Sequence, residues 1–154
     1  MRERLPPASG RGGSSTMIHR ASPHYFRLLN DLFAHLYAQP ISKFKFNSSV
    51  PQGLIAAPGV YVICDNTNVV YVGQSTNVKR RVWEQHRSGR TNGDMFNIYL
   101  ERRYQLDTVE ERSKYIHDYC AFRFLIAEDL REKRIRKLFE AFLMCELDPE
   151  LNAK

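Results

Sequence analysis

Two short apolar runs joined by a polar turn constrain the fold of this chain more than any other feature. The runs are GVYVI at residues 59–63 and VVYVG at residues 69–73, rich in the β-branched and aromatic residues typical of strands. Between them lies CDNTN, whose Asp and Asn residues tolerate the backbone conformations of a tight turn. The pattern predicts an antiparallel β-hairpin.

Each predicted strand carries a tyrosine, and the length of the turn decides whether both lie on one face. Side chains alternate across a strand, so Tyr61 and Tyr71 share a face only if the loop has an odd number of residues. A three-residue loop at 66–68, with Asn68 in the left-handed region, satisfies this condition. Ile63 would then pair with Tyr71, and we predict a shared tyrosine face.

The remainder of the main module alternates between helical and strand patterns. Helices are predicted from Asn77 to about Ser88, over residues 93–106, over 108–119, and over the amphipathic run EDLREKRIRKLFEAFLMCEL, with a third strand over 121–127. In the last helix the apolar stripe is Ile135, Leu138, Phe139, Phe142 and Leu143. The order predicts an α/β (α+β) fold, in which a small antiparallel three-stranded β-sheet is flanked by α-helices.

The N-terminal part of the chain has a different composition. Residues 1–16 are rich in Gly, Ser, Pro and Arg without apolar periodicity, which predicts a disordered tail. Residues 17–58 are expected to form a helical extension and linker, and the main module to span 59–154. The extension has a predicted helix over 23–38, with an inward stripe of Phe26, Leu29, Phe33 and Leu36.

Charge and hydropathy restrict the partners of the chain. Its 154 residues carry a net charge of +6, which favours a polyanionic partner such as nucleic acid. No apolar run reaches the roughly 18 residues of a membrane span, so none is expected. The three cysteines form no CxxC pair and are interpreted as reduced core residues in a cytoplasmic protein, although the tail leaves organellar targeting open.

The order and spacing of five residues resemble the GIY-YIG nuclease family. Gly-Val-Tyr at 59–61 precedes Tyr-Val-Gly at 71–73, and Arg81 lies ten positions after Tyr71. In EAFLMCELDPELN, Glu140 precedes Asn152 by twelve positions. An ordered match over residues 59–152 is more specific than any single tripeptide. The resemblance implies a GIY-YIG endonuclease-like fold and metal-dependent hydrolysis of DNA phosphodiester bonds.

The resemblance also implies a role for each of the five residues. Tyr61 is favoured as the base that deprotonates water, with Tyr71 as its partner, although which tyrosine takes the proton stays open. Arg81 offers a planar fork to the phosphate. Glu140 would hold one Mg²⁺ or Mn²⁺, both of which prefer oxygen ligands. Asn152 completes the set, although Asn is also a common helix-terminating residue.

Two positions depart from the family pattern. Many relatives have Lys directly after the second glycine, where this chain has the uncharged Gln74. Some carry a His one turn after the arginine, whereas His86 lies five positions after Arg81, about 140° around an α-helix. Both are auxiliary candidates, and a surface position is slightly favoured for His86. Glu146 is a rival to Glu140, but its spacing to Asn152 does not match.

A basic segment adjoins the candidate site. Lys79, Arg80, Arg87 and Arg90 are predicted to bind nucleic acid, with double-stranded or branched DNA as the expected substrate and a homodimer or larger complex as a source of specificity. Charge runs on helices are usually solvated faces. Two alternatives therefore stay open: a non-cleaving nucleic-acid-binding module with the same fold, or a structural protein in which the tyrosines only pack.

Overall fold

The computed structural model of the chain describes residues 12–45, 49–66 and 68–152, with only the helical backbone described for residues 12–23. Its α-helices are α1 (Gly12–Ala38), α2 (Met95–Tyr104), α3 (Val109–Tyr119) and α4 (Lys133–Leu147). The strands are β1 (Ser42–Lys43), β2 (Gly59–Asp65), β3 (Asn68–Ser75) and β4 (Cys120–Leu125). A π-helix spans Lys79–Gln85, and 3₁₀ turns span His86–Ser88 and Glu128–Arg131.

The strands form one antiparallel sheet in the order β1-β4-β2-β3. The predicted mixed fold, with a helix-flanked antiparallel sheet and an N-terminal helix, is confirmed, but the sheet has four strands rather than three. The additional strand is β1, whose Ser42 and Lys43 pair with β4. A two-residue strand shows no alternation of polar and apolar positions, so its sequence carries no strand signal.

The hairpin has the predicted pairing with a different turn. Ile63 pairs with Tyr71, as expected, and the two tyrosines lie on one face. The ladder is irregular after Ile63, where Cys64 pairs with Val69 rather than Val70. The two tyrosines share a face only if one extra residue lies between the paired strands. The bulge supplies that residue, whereas the prediction placed it in the loop. The left-handed residue is Asn66, at φ 53°, instead of Asn68.

Helix α1 begins earlier than predicted and buries a rotated stripe. The predicted tail lies outside the described residues at 1–11, but residues 12–16 are helical, since extending an existing helix is far easier than nucleating one. Leu29, Leu32 and Leu36 are buried, whereas Phe26 is 61% exposed. Successive residues of an α-helix are 100° apart around its axis. The buried stripe of α1 is centred closer to Leu32 than we predicted, so Phe26 lies on the flank of the stripe.

Two apolar clusters pack on opposite faces of the sheet. The first face contains the tyrosine pair and is covered by the π-helix, α2 and α3. The second face is covered by α1 and α4, whose buried side chains are Leu29, Leu32, Leu36, Ile135, Phe139 and Leu143. Residues on both sides of position 58 therefore contribute to both clusters. In α4, Leu138 is 38% exposed rather than buried, and Cys145 is also exposed rather than in the core.

The described helices include none that is long and apolar enough to cross a membrane.

Candidate active site

The Tyr61 side chain is held against the backbone of the neighbouring strand. Tyr61 pairs with Gly73 and is 1% exposed. A Cβ atom at Gly73 would lie 2.3 Å from the Tyr61 hydroxyl oxygen, so a larger residue cannot occupy position 73 unless the ring moves. The glycine of VVYVG is therefore required by the tyrosine of GVYVI.

The helix after β3 has a wide turn that changes the position of His86. The π-helix Lys79–Gln85 is followed directly by His86, whose backbone N–H donates to the carbonyls of Arg81 and Val82. Because a bond to Arg81 spans five residues, His86 lies one turn above Arg81 instead of 140° around the helix. His86 is only 1% exposed, so the surface position that we favoured for it is wrong.

Tyr61, His86 and Asp94 form a buried hydrogen-bonded chain. The Tyr61 hydroxyl lies 2.7 Å from His86 Nε2, and His86 Nδ1 lies 2.7 Å from Asp94 Oδ2. A carboxylate can only accept, so Nδ1 carries a proton, and in the neutral imidazole Nε2 accepts from Tyr61. Burial opposes ionisation of Asp94, but the hydrogen bond from His86 and the bonds from Asn97 outweigh it and lower the pKa of the carboxyl.

The Asp94 side chain is fixed by the helix that follows it. Asp94 is the N-cap of α2, and its second oxygen accepts the Asn97 backbone N–H at 3.1 Å. The Asn97 side chain donates to the His86 carbonyl at 3.0 Å. Neither residue is predicted from the sequence. Asp94 has the signature of an N-cap, but a cap signal does not reveal which distant side chain shares the carboxylate.

Tyr71 is more accessible than Tyr61 and lies beside it. Their ring centroids are 6.4 Å apart, and Tyr71 also contacts the His86 and Phe96 rings. Burial raises the pKa of Tyr71; Asp94 and Glu140 add to the rise, while Arg81 opposes it. Burial likewise raises the pKa of Tyr61, with smaller contributions from Tyr71, Asp94 and Glu140, and Arg81 again opposes the rise.

The charges that act on the two tyrosines show which predicted residues lie together. Arg81 and Glu140 are 59 positions apart in the sequence, yet the charges of both affect the pKa of Tyr61 and Tyr71. Coulomb interactions weaken with distance and with screening, so Arg81 and Glu140 lie in the electrostatic neighbourhood of the two tyrosines. Tyr61 and Tyr71 are in ring contact, and Arg81 and Glu140 act on them through electrostatics.

Glu140 reaches this neighbourhood at the open edge of the sheet. Helix α4 packs on the face opposite the tyrosines, but half-buried Glu140 accepts a hydrogen bond from the Gln74 backbone N–H on edge strand β3. Burial raises the pKa of Glu140, while this bond and Lys137 oppose the rise. The rival Glu146 is exposed.

Gln74 is linked to a buried arginine. Its Oε1 accepts from Arg136 Nε at 2.9 Å, and Arg136 is 3% exposed. The other guanidinium bonds of Arg136 go to the carbonyls of Leu130 and Arg131, 3.0 Å away. The uncharged side chain at position 74 is thus paired with a cation from α4, which the sequence order did not suggest.

Asn152 binds the backbone of β3. Its Oδ1 accepts the Val72 N–H and its Nδ2 donates to the Val72 carbonyl, both at 2.8 Å. The neighbouring Leu151 N–H donates to the Val70 carbonyl at 2.7 Å. The segment after α4 therefore covers the open edge of β3 on either side of Tyr71. This geometry suits a residue that positions the strand.

The predicted nucleic-acid-binding residues differ in their surroundings. Arg80 and Arg81 line a cavity of about 220 Å³ with Ser75, Thr76, Asn77 and Gln85. Arg90 is exposed and Lys79 partly so. Arg87 instead lies 4.2 Å from the Trp83 ring centroid and donates to the carbonyls of Trp83 and Lys45. Arg87 is therefore engaged in packing, unlike the other three.

The available oxygen ligands limit the type of metal site. Within residues 12–45, 49–66 and 68–152, no three His, Cys, Asp or Glu side chains cluster as a ready-made metal cage. Mg²⁺ does not require such a cage, since it keeps several waters and often binds one or two carboxylates plus substrate phosphates. The half-buried carboxylate of Glu140 fits that mode.

Comparisons with known proteins agree with the geometry. The model of the GIY-YIG catalytic domain matches residues 57–141, more than half of the chain. A comparison with curated protein sequences found no significant match.

Solved structures of one protein are also similar to the chain. One is the GIY-YIG N-terminal endonuclease domain of UvrC from Thermotoga maritima bound to its catalytic magnesium, with 18% identity, a TM-score of 0.39, and coverage of 66% of this chain and 89% of that one. A tyrosine-to-phenylalanine variant of that domain, bound to its catalytic divalent cation, has 19% identity, a TM-score of 0.39 and the same coverage. On the family match, this chain belongs to the GIY-YIG catalytic domain family.

Proposed function

We propose that this protein is a metal-dependent endonuclease that hydrolyses phosphodiester bonds in DNA. The observation that carries the proposal is the paired Tyr61 and Tyr71 rings, 6.4 Å apart and within the electrostatic neighbourhood of Arg81 and Glu140, in a chain that matches the GIY-YIG catalytic domain. Hydrolysis of a phosphodiester needs a group to accept a proton from water, a cation for the phosphate charge and a stabiliser for the leaving oxygen. The neighbourhood contains a candidate for each requirement, in a chain whose family is a nuclease family.

Burial separates the roles of the two tyrosines. Tyr61 is 1% exposed and its hydroxyl is engaged with His86, whereas Tyr71 is partly exposed. We therefore assign contact with the attacking water to Tyr71 and a supporting role to Tyr61, the reverse of the assignment that the sequence favoured. Arg81 opposes the rise in the pKa of both phenols, so the guanidinium that faces the phosphate also favours proton loss from tyrosine.

Glu140 is the residue that would hold Mg²⁺ or Mn²⁺. A divalent cation bound there would supply charge stabilisation at the phosphate and the leaving oxygen. The bond from the Gln74 N–H keeps the carboxylate at the sheet edge, and Lys137 opposes the effect of burial, so both favour the ionised form that a metal requires.

DNA would approach the site over the start of the π-helix. Arg80 and Arg81 line the same cavity, and Lys79 and Arg90 extend the basic surface. Phosphate contacts of this kind give affinity without base recognition. Double-stranded or branched DNA is therefore the proposed substrate, and a homodimer or a larger complex would supply any sequence preference.

A second function is favoured by one observation. The hydroxyl of Tyr61 is enclosed, and burial raises the pKa of both tyrosines, which disfavours proton transfer in the free protein. A module that binds DNA without cutting it would have these features. The same family match and basic surface are compatible with that function.

Incubation with DNA separates the two functions. Purified protein is mixed with supercoiled plasmid, linear duplex, branched and single-stranded DNA, with Mg²⁺, with Mn²⁺ or with EDTA, while binding is measured in parallel. An endonuclease yields nicked or linear products only with a divalent cation. Binding without products from any DNA, under either metal, would overturn the endonuclease proposal and support the binding module.

A further inference from the structure

We propose that Asp94 and His86 are positioning residues that fix the direction of the Tyr61 hydroxyl hydrogen, an inference that rests on the endonuclease function proposed above. The chain runs from Asp94 through His86 to Tyr61 in two contacts of 2.7 Å. His86 is 1% exposed and the Asp94 side chain 3%, so water does not compete for these bonds. Such a chain has one preferred arrangement of its hydrogens.

The arrangement begins at the carboxylate. Asp94 Oδ2 can only accept, which places a proton on His86 Nδ1. In the neutral Nδ1–H tautomer, which we assign to His86, Nε2 is an acceptor and the Tyr61 hydroxyl donates to it. With its hydrogen directed at His86, the Tyr61 oxygen can only accept any further hydrogen bond.

An acceptor-only Tyr61 affects its neighbour. The Tyr71 ring lies 6.4 Å from the Tyr61 ring and 5.7 Å from the His86 ring. The orientation of the Tyr61 hydroxyl therefore determines the polar group that Tyr61 presents beside the Tyr71 ring. The buried chain positions one phenol of the pair, in the way that a carboxylate orients a histidine in hydrolase triads.

The geometry argues against a purely structural explanation of the chain. An N-cap needs only one oxygen, and Asp94 meets that need with the oxygen that accepts from Asn97. The second oxygen is the one that bonds His86. Burial of polar groups is unfavourable unless each is hydrogen-bonded, and apolar residues at positions 86 and 61 would have avoided that requirement.

The test is the substitution Asp94→Asn, which preserves size and capping ability. An Asn amide can donate to His86 Nδ1, which places the histidine proton on Nε2 and prevents Tyr61 from donating to it. We expect the ¹⁵N chemical shifts of the His86 ring to change from the Nδ1–H to the Nε2–H pattern. We expect cleavage to fall on the order of 100-fold, with DNA binding unchanged. Asp107→Asn, which removes the same charge from an exposed position, is the matched control and should change neither.

A second variant keeps the test informative if Asp94→Asn does not fold. Tyr61→Phe removes one hydroxyl, retains the ring and leaves the Asp94–His86 bond in place, so it should lose cleavage while His86 keeps the Nδ1–H pattern. A protonated Nε2 in the wild-type protein, as the Nε2–H tautomer or as the imidazolium, would overturn the inference, and so would wild-type cleavage by Asp94→Asn. Wild-type protein that shows the Nδ1–H pattern but cuts no DNA would instead overturn the endonuclease function, with the hydrogen-bonded chain intact.

Discussion

The two faces of the sheet bury different kinds of side chain. The face covered by α1 and α4 is almost entirely aliphatic and aromatic. The tyrosine face also contains buried polar residues, namely His86, Asp94, Asn97 and Arg112. Apolar burial is the dominant favourable contribution to folding, whereas buried polar groups are costly unless hydrogen-bonded. Both faces therefore stabilise the fold by apolar burial, and the tyrosine face also accommodates the groups that chemistry needs.

Not every buried polar atom on the tyrosine face has a hydrogen-bond partner among the described residues. Asn97 Oδ1 is buried without a hydrogen-bond partner within the described part of the chain. An unsatisfied buried acceptor costs about 1–3 kcal/mol. The second face also has an unsatisfied polar atom, since Arg123 Nε is buried beside Tyr37 without a hydrogen-bond partner in the described structure, whereas Arg136 and Asn152 at its margin are hydrogen-bonded. The difference between the faces is therefore the buried His86–Asp94 pair beside the tyrosines, and substitutions on the two faces should separate stability from activity.

The largest expected effect on stability comes from the aliphatic face. Phe139→Ala empties a fully buried position in α4 and should lower the free energy of unfolding by about 3–5 kcal/mol, because transfer and cavity terms add. Urea denaturation followed by circular dichroism measures the change. Leu138→Ala, on the same helix but 38% exposed, is the control and should cost about 1 kcal/mol or less. Equal losses would show that α4 does not pack as described.

The next effect concerns activity at the sheet edge. Glu140→Gln should reduce cleavage at least about 100-fold, roughly 2.7 kcal/mol of barrier, because the amide cannot hold a divalent cation as the carboxylate does. Burial raises the pKa of Glu140, which means that the charged form is disfavoured there, so the neutral amide should not destabilise the fold. Initial rates at saturating Mg²⁺ measure the change.

Glu146→Gln is the matched control for this prediction. It removes the same charge from an exposed position about one and two-thirds turns further along α4, and should cut at the wild-type rate. Wild-type cleavage by Glu140→Gln, or equal losses in both variants, would remove Glu140 from the site.

Periodicity and family resemblance predicted the main elements and named the candidate site residues, but not the contacts that hold those residues in place. The pairing of Ile63 with Tyr71 followed from alternation along the strands, which is a local property. The position of His86 did not, because its five-residue spacing from Arg81 was judged on an α-helix and the chain forms a π-helix there. Asp94 and Arg136 act on residues distant in sequence, so no local pattern identifies their partners.

Asn152 offers a test of how the open edge of β3 is held. Asn152→Ala removes both bonds to Val72 and should lower the free energy of unfolding by about 1–3 kcal/mol, because the Val72 N–H and carbonyl are left unpaired. Asn152→Asp retains the acceptor for the N–H but sets a second carboxylate oxygen against the Val72 carbonyl in a buried position, so its loss should be at least as large as that of Asn152→Ala. Thermal unfolding of the three proteins measures the order. A stable Asn152→Ala variant that has lost cleavage would instead favour a direct catalytic role.

The smallest effects should distinguish two arginines on the tyrosine side. Arg80 is exposed and lines the cavity beside Arg81, so Arg80→Ala should weaken DNA binding several-fold for every sequence and reduce the salt slope by about 1, as one lost phosphate contact does. The melting temperature of Arg80→Ala should not change.

Arg87→Ala should show the opposite pattern, a loss of about 1 kcal/mol of stability, because that guanidinium stacks on Trp83 and donates to two backbone carbonyls. Fluorescence anisotropy over a range of salt concentrations, with urea denaturation of the same samples, measures both quantities. If Arg87→Ala reduces the salt slope as much as Arg80→Ala without loss of stability, then Arg87 belongs to the DNA-binding surface, and the distinction between packing and binding arginines is wrong.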